Sequence, residues 1–280
     1  MPKTWFITGA SRGLGREWTI AALDRGDSVA ATARDTATLD DLVKRFGDRI
    51  LPLRLDVTDR EADFAAVRRA HEHFGRLDVV VNNAGYGQFG MIEEITEHEA
   101  RAQFETNLFG VLWVTQAALP FLRAQRSGHI LQVSSIGGIS AMANIGIYNA
   151  SKWALEGLSQ ALAQEVADFG IKVTIIEPGG YATDWHGSSA KHATRNPAYD
   201  EARERVPGGG QRRARGGFTP GDPVASRRAV LAVVEAENPP LRLFLGQAPL
   251  SIATRDYESR LASWREWQPL AVAAHGGGDA

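Results

Sequence analysis

An α/β fold built on a single doubly wound parallel sheet of about seven strands, with helices on both faces, is what this sequence predicts. Three observations carry the expectation. Short apolar runs rich in β-branched residues recur along the 280-residue chain, longer amphipathic stretches separate most of them, and a glycine-rich turn follows the first run.

In chain order the runs are "TWFIT" (4–8), "SVAATA" (28–33), "ILPLRL" (50–55), "DVVVN" (78–82), "HILQVS" (129–134), "KVTIIE" (172–177) and "LRLFLG" (241–246). Helical patterns fill the gaps, as in "READFAAVRRAHEHF" (60–74) and "WALEGLSQALAQEVADF" (153–169). "TDRE" at 58–61 and "TEHE" at 96–99 read as capping boxes, whose side chains satisfy the unpaired amides at a helix start. Strand and helix alternating in this way imply parallel pairing, with ligands at the carboxyl ends of the strands. Residues 1–270 read as one domain. Residues 179–221 break the rhythm, and a loop of that length inside a domain is usually a lid or a disordered segment. We expect a lid at 181–218 and a disordered tail at 271–280.

Composition narrows the function classes. Hydrophobic residues make up 44% of the chain, enough for a large buried sheet. A net charge of −2 gives no global signal for nucleic-acid or membrane-surface binding. There are no cysteines, which excludes disulfides, thiolate metal sites and cysteine nucleophiles. The seven histidines show no metal-ligand spacing, so no metal is expected. The chain runs almost at once into its first strand and holds no apolar run long enough to span a bilayer, so a cytoplasmic protein is expected.

Two stretches carry chemistry. In "TGASRGLG" (8–15), Gly9, Gly13 and Gly15 permit a sharp turn and close approach of a ligand, and the N–H groups of the helix that follows can bind phosphate. The spacing G-x-x-x-G-x-G differs from the common G-x-G-x-x-G fingerprint, so it is the position after the first strand that points to a nucleotide. In "YNASK" (148–152), Tyr148 and Lys152 are one helical turn apart and share a face. A cation near a phenol favours the phenolate, which makes Tyr148 a candidate acid/base with a lowered pKa.

At this point the chain resembles the short-chain dehydrogenase/reductase superfamily. The resemblance rests on "TGASRGLG", "NNAG" (82–85), Asn107 in "FETNLFG", Ser135 in "QVSSIGG", "YNASK" and "EPGGYATD" (177–184), in the family's order and spacing. "LDVTD", "VNNAGYGQFG" and "VSSIGG" look most like its hydroxysteroid-dehydrogenase-like branch. The resemblance implies a Rossmann-type sheet and a reaction that interconverts a ketone or aldehyde and an alcohol. It makes Tyr148 the proton donor in reduction, with Lys152 supplying positive charge and a hydrogen bond to the nicotinamide ribose. Ser135 would donate to the substrate oxygen, Ser134 being the alternative, and Asn107 would hold a water that links Lys152 to solvent. The remaining motif residues would bind the cofactor: Gly9, Ser11, Arg12, Gly13, Leu14 and Gly15 at the phosphates, and Asp56 and Val57 at the adenine. Asn83, Ala84 and Gly85 would face the adenosine ribose, with Pro178, Gly179 and Thr183 beside the nicotinamide.

Cofactor choice turns on the end of the second strand. Where NAD-users of this family carry an acid, this chain has Ala33 followed by Arg34, and Arg12 offers a second cation for a 2′-phosphate. Asp35 is the rival clue, unless it caps the helix beginning "TATLDDL". The expectation is NADP(H), with NAD(H) as the second candidate. The lid holds Tyr181, Trp185, Tyr199 and Phe218, which point to a hydrophobic or bulky substrate. Its Arg203, Arg205, Arg212, Arg213 and Arg215 read as solvated loop charges, or else as partners for an anionic substrate. The expected partner is a small carbonyl or alcohol, with no nucleic acid and no membrane. A homodimer or homotetramer is expected because relatives commonly pair through the helices around 98–125 and 149–169. A nucleotide-binding regulator without catalysis, or an epimerase or lyase using the same four residues, are the competing functions.

Overall fold

The structure is a computed structural model that describes residues 1–187, 189–206 and 219–276. Strands β1 (Thr4–Ile7), β2 (Ser28–Ala33), β3 (Ile50–Arg54) and β4 (Val79–Asn82) come first. The short β5 (Gln88–Phe89) precedes β6 (Gly128–Val133) and β7 (Ile171–Pro178), and β8 (Lys191–His192) precedes β9 (Arg242–Leu245). Seven of them form one parallel sheet in the order β3-β2-β1-β4-β6-β7-β9. These are the seven runs expected from sequence. The order reverses direction between β1 and β4, so a crevice opens at their carboxyl ends, where doubly wound sheets bind ligands.

Both faces of the sheet are covered, and the alternation of side chains shows why. In β1, Trp5 and Ile7 enter one core and Phe6 the other; in β4, Val79 and Val81 part from Val80 in the same way. The first core is closed by helices α1 (Gly13–Asp24), α2 (Asp40–Phe46) and α8 (Ser226–Glu235). The indole N–H of Trp18 in α1 donates to Ser226 Oγ of α8 at 2.8 Å. The second core is closed by α3 (Arg60–Phe74), α5 (Gly110–Gln125) and α6 (Gly146–Val166). α4 (Glu97–Phe104) runs into α5 through a π-helical turn at Glu105–Phe109. The short α7 (Asp200–Arg205) and the long α9 (Pro249–Ala273) complete the helices among the described residues.

The box at Thr96 forms as expected: its hydroxyl accepts from Glu99 N, and the Glu99 carboxylate accepts from Thr96 N. The box read at 58–61 does not. Asp59 is the N-cap of α3 and accepts from Ala62 N, while Thr58 donates both its amide and its hydroxyl to Asp56. An aspartate two residues back offers Thr58 a local turn, which leaves the cap to the next carboxylate. Residues 271–273 continue α9, so helix extends past the expected start of the tail. No helix among the described residues is long and apolar enough to cross a membrane.

Candidate active site

The crevice at the switch point is assembled from glycines that no other residue could replace without displacement. Gly9 and Gly13 hold φ of +66° and +56°. A Cβ on Gly9 would sit 3.0 Å from Ala84 Cα, and one on Gly15 would sit 2.3 Å from Asn83 Nδ2 and 2.5 Å from Gly9 O. The turn after β1 is thus packed directly on "NNAG" after β4. Thr8 and Asn83 fasten the two: Thr8 Oγ1 accepts from the amides of Asn83 and Ala84, and Asn83 Nδ2 donates to Thr8 O and Gly9 O. Thr8 was not singled out from sequence, although its place at the head of the glycine motif was the available signal. α1 begins just beyond with Arg12 at its N-cap and no side chain bonded to its first amides, the arrangement in which a helix start accepts phosphate. Ser11 and Leu14 line this turn, half-buried. The cradle fits a dinucleotide pyrophosphate.

The other expected cofactor contacts ring the same opening. Arg34 and Asp56 are exposed at the ends of β2 and β3, and Val57 is buried against Gly110. Pro178 ends β7, and Gly179 donates to Leu245 O. Thr183 lies 3.6 Å from where a Gly13 Cβ would be, and Arg12 pairs with Asp184 at 3.8 Å, so the segment after β7 closes on the glycine turn.

The four expected catalytic residues come together from three elements. Tyr148 and Lys152 share a buried face of α6. Ser135 caps the short 3-10 turn after β6, its Oγ accepting from Gly137 N. A Cβ on Gly137 would lie 3.4 Å from Ser135 Oγ and 3.3 Å from Tyr148 Cε1, so that glycine lets the serine and the phenol meet. Lys152 Nζ donates to Val133 O at 2.7 Å and lies 5.9 Å from the Tyr148 ring centre. Asn107 is fully buried in the π-helical turn, a local widening that often marks functional positions. Its Oδ1 accepts from Tyr86 N, and its Nδ2 donates to Tyr86 O and Ser151 Oγ. A Cβ on Gly85 would lie 3.1 Å from Asn107 Oδ1 and 3.7 Å from Lys152 Nζ, which sets asparagine and lysine side by side. Ser134, the alternative to Ser135, is buried towards Glu156 instead.

Protonation departs from the sequence expectation. Burial pushes the Tyr148 phenol up to about 12, against a smaller lowering by the Ser135 hydrogen bond. Burial also brings the Lys152 ammonium down to about 8, with Glu156 opposing. The sequence leads one to expect a tyrosine made more acidic by the lysine, whereas loss of solvent raises the phenol. The result is a phenol that keeps its proton near neutrality.

Of the expected lid aromatics, Trp185 faces the site. Its ring meets Tyr148 edge-on at 5.1 Å and Phe89 at 5.2 Å, and Gly87 makes room for it, since a Cβ there would be 2.6 Å from Trp185 Cζ2. Tyr181 packs on Gly221 and the first core, and the Tyr199 hydroxyl donates to Glu93 at 2.5 Å. Phe218, Gly208 to Gly210, Arg212, Arg213, Arg215, Gly216 and Gly217 lie outside the described residues. Arg203 is not a solvated charge: it forms a buried ion pair with Glu94 and donates to Asn144 Oδ1. The described part of the lid is thereby tied to the body, helped by the parallel pairing of β5 with β8.

A glycine cradle at the switch point, with a buried tyrosine and lysine at its mouth, fits a bound dinucleotide. Comparison with known proteins gives the family. The profile described as short chain dehydrogenase matches residues 3–194, and the chain belongs to that family. It is 46% identical to the oxidoreductase BOA17 of Botryotinia fuckeliana over 275 residues, covering 98% of this chain and 100% of that protein. A short-chain dehydrogenase from Streptomyces avermitilis superposes with a TM-score of 0.89 at 40% identity, covering 98% of each chain. An alcohol dehydrogenase from Thermococcus sibiricus, complexed with 5-hydroxy-NADP, superposes with a TM-score of 0.72 at 27% identity, covering 88% of this chain and 96% of that one.

Proposed function

We propose that this protein is an NADP(H)-dependent carbonyl reductase or alcohol dehydrogenase acting on a hydrophobic or bulky substrate. The observation that carries the reading is the meeting of Ser135 and Tyr148 at Gly137, with Lys152 one turn along the same buried face. A bound nicotinamide supplies or takes the hydride. Ser135 and Tyr148 hold the substrate oxygen between them, the serine donating a hydrogen bond to the charge that develops there. The Tyr148 hydroxyl transfers its proton to that oxygen in reduction and recovers one in oxidation. Lys152 supplies the positive charge that eases loss of this proton, and Asn107 fixes the loop at Tyr86 beside it. Trp185 and Phe89 give the substrate side an aromatic wall, which suits an apolar ketone. Measuring NADPH consumption across a panel of ketones and sugars tests this, and activity confined to small polyols would overturn the substrate class.

A pH profile follows from the two buried groups. Reduction requires the proton on Tyr148 and the charge on Lys152. With Tyr148 at about 12 and Lys152 at about 8, the reduction rate is expected to be level up to about pH 8 and to fall above it. A rate that keeps rising through pH 9 would contradict the assignment of Lys152.

The cofactor preference rests on Arg12 and Arg34, with Asp35 engaged elsewhere, since its carboxylate accepts from Ala37 N as the cap of the turn at 36–39. Charge-assisted hydrogen bonds contribute about 1.5–3 kcal/mol each, so kcat/KM is expected to favour NADPH over NADH by about tenfold or more. Arg34→Ala should erode that ratio through the KM of NADPH. A native enzyme that prefers NADH would refute the preference while leaving the reaction class standing.

A further inference from the structure

Beyond its first turns helix α9 leaves the body of the protein, and among the described residues nothing covers its outer half. Its root is fixed: Ala253 packs with Ile136 and Ile139, and Arg260 lies over Trp153 at 4.6 Å and donates to Ile139 O. Beyond it, every residue from Leu261 to Gly276 is exposed. This stretch is not polar. Trp264 and Trp267 are 58% and 61% exposed, and Leu250, Tyr257, Leu261, Leu270 and Val272 are exposed with them. At 3.6 residues per turn, Leu250, Tyr257, Leu261, Trp264 and Val272 fall within about 40° of one line along the helix, whereas Trp267 lies about 100° and Leu270 about 160° from it. A helical extension of this length is marginal in water unless its apolar face is covered.

The charges on α9 say what covers it. They balance, with Arg255, Arg260 and Arg265 against Asp256, Glu258 and Glu266, so the helix lacks the cationic face that an anionic lipid surface would attract. Glu258 and Arg265 flank the stripe on the same side, at equal distances from the peptide between Leu261 and Ala262. Two such helices, packed antiparallel about a two-fold axis at that peptide, would bring each Glu258 against Arg265 of the partner subunit and lay stripe on stripe. The five apolar side chains of the stripe offer on the order of 500 Å² per protomer, the larger part of the about 800 Å² that one partner contributes to a stable interface.

We propose that α9 is a self-association arm, and that the apolar stripe from Leu250 to Val272 is occupied by the same stripe of a second copy of this chain in an antiparallel, two-fold pairing. The pairing is distinct from one through the helices around 98–125 and 149–169, and it does not depend on the catalytic reading.

The test is sedimentation equilibrium on the full chain, with melting temperature and cofactor binding as controls for folding. The wild-type chain is expected to associate, and Trp264→Glu to weaken that association about a hundredfold by placing a charge at the centre of the stripe. Glu258→Arg alone and Arg265→Glu alone are each expected to weaken it about tenfold or more, and the double variant to restore it. The residues are exposed, so the variants should fold. A monomeric wild type, an assembly indifferent to Trp264→Glu, or a double variant no tighter than the singles would each overturn the proposal.

Discussion

Replacing Tyr148 by phenylalanine is expected to lower turnover by about 10²–10⁴-fold while cofactor binding survives. The substitution removes one oxygen from a ring that is buried and packed edge-on against Trp185, and that packing is kept. Ser135 retains its bond from Gly137 N, so the turn that carries it stays in place. No cofactor-cradle contact involves the phenol: the glycine turn is fastened by Thr8 and Asn83, on the other side of the crevice. What is lost is the proton, and burial has tuned this phenol to hold one. Steady-state kinetics alongside a cofactor titration separates the two effects. Near-normal turnover would remove Tyr148 from the mechanism, and loss of binding together with turnover would mark it as a scaffold residue.

Arg203→Leu is the substitution expected to cost most in structure. Arg203 and Glu94 are 9% and 1% exposed at the side chain, and the carboxylate also accepts from the amides of Met91 and Asn196. Removing the guanidinium leaves that carboxylate buried with half its partners, a change that typically costs about 3–5 kcal/mol. The damage should centre on residues 189–206, which the pair ties to the body across 109 positions of sequence. Faster proteolytic cleavage there and a lower melting temperature are the expected signs. Glu94→Leu added to Arg203→Leu should recover part of the loss, because an apolar pair carries no stranded charge. The pair also has an acid signature. Hydrogen bonding from Arg203 first, then from Asn196 and Met91, holds Glu94 down at about 2 against an ordinary 4.5. A depressed carboxylate contributes stability that is present above its unfolded value and is lost as pH falls towards its folded one. The segment is therefore expected to loosen between about pH 4.5 and pH 2.

The parts of this molecule legible in the sequence are those fixed by local pattern. The inner sheet strands are nearly continuous apolar runs because both of their faces are buried, the edge strands β3 and β9 being only partly so, and the seven runs are the seven strands found. The glycine turn and the pair on α6 were legible because their chemistry depends on spacing within one element. The rest depends on distance or competition. β5 and β8 are two residues each, too short for any periodicity, and are held together by their surroundings. The Arg203–Glu94 pair joins residues far apart in the chain, and nothing near either one marks it. The π-helical turn that carries Asn107 has no side-chain signature in "FETNLFG". The acidity of Tyr148 was misjudged because the neighbouring cation is visible in sequence and the extent of burial is not. The exposed end of α9 lacked the long-range packing by which a helix is usually judged, and its stripe appears only once the helix is known.

In the proposed reaction Tyr148 protonates a carbonyl as hydride leaves NADPH. Following nicotinamide absorbance and alcohol formation together, with enzyme, NADPH and a panel of bulky aromatic ketones, tests it most directly. At least one ketone is expected to be reduced with one NADPH consumed for each alcohol formed, and Tyr148→Phe to abolish both signals in step. Tight NADPH binding with no consumption on any carbonyl would instead describe a regulator, and turnover of substrate with no net consumption an epimerase or lyase. Either result would contradict it.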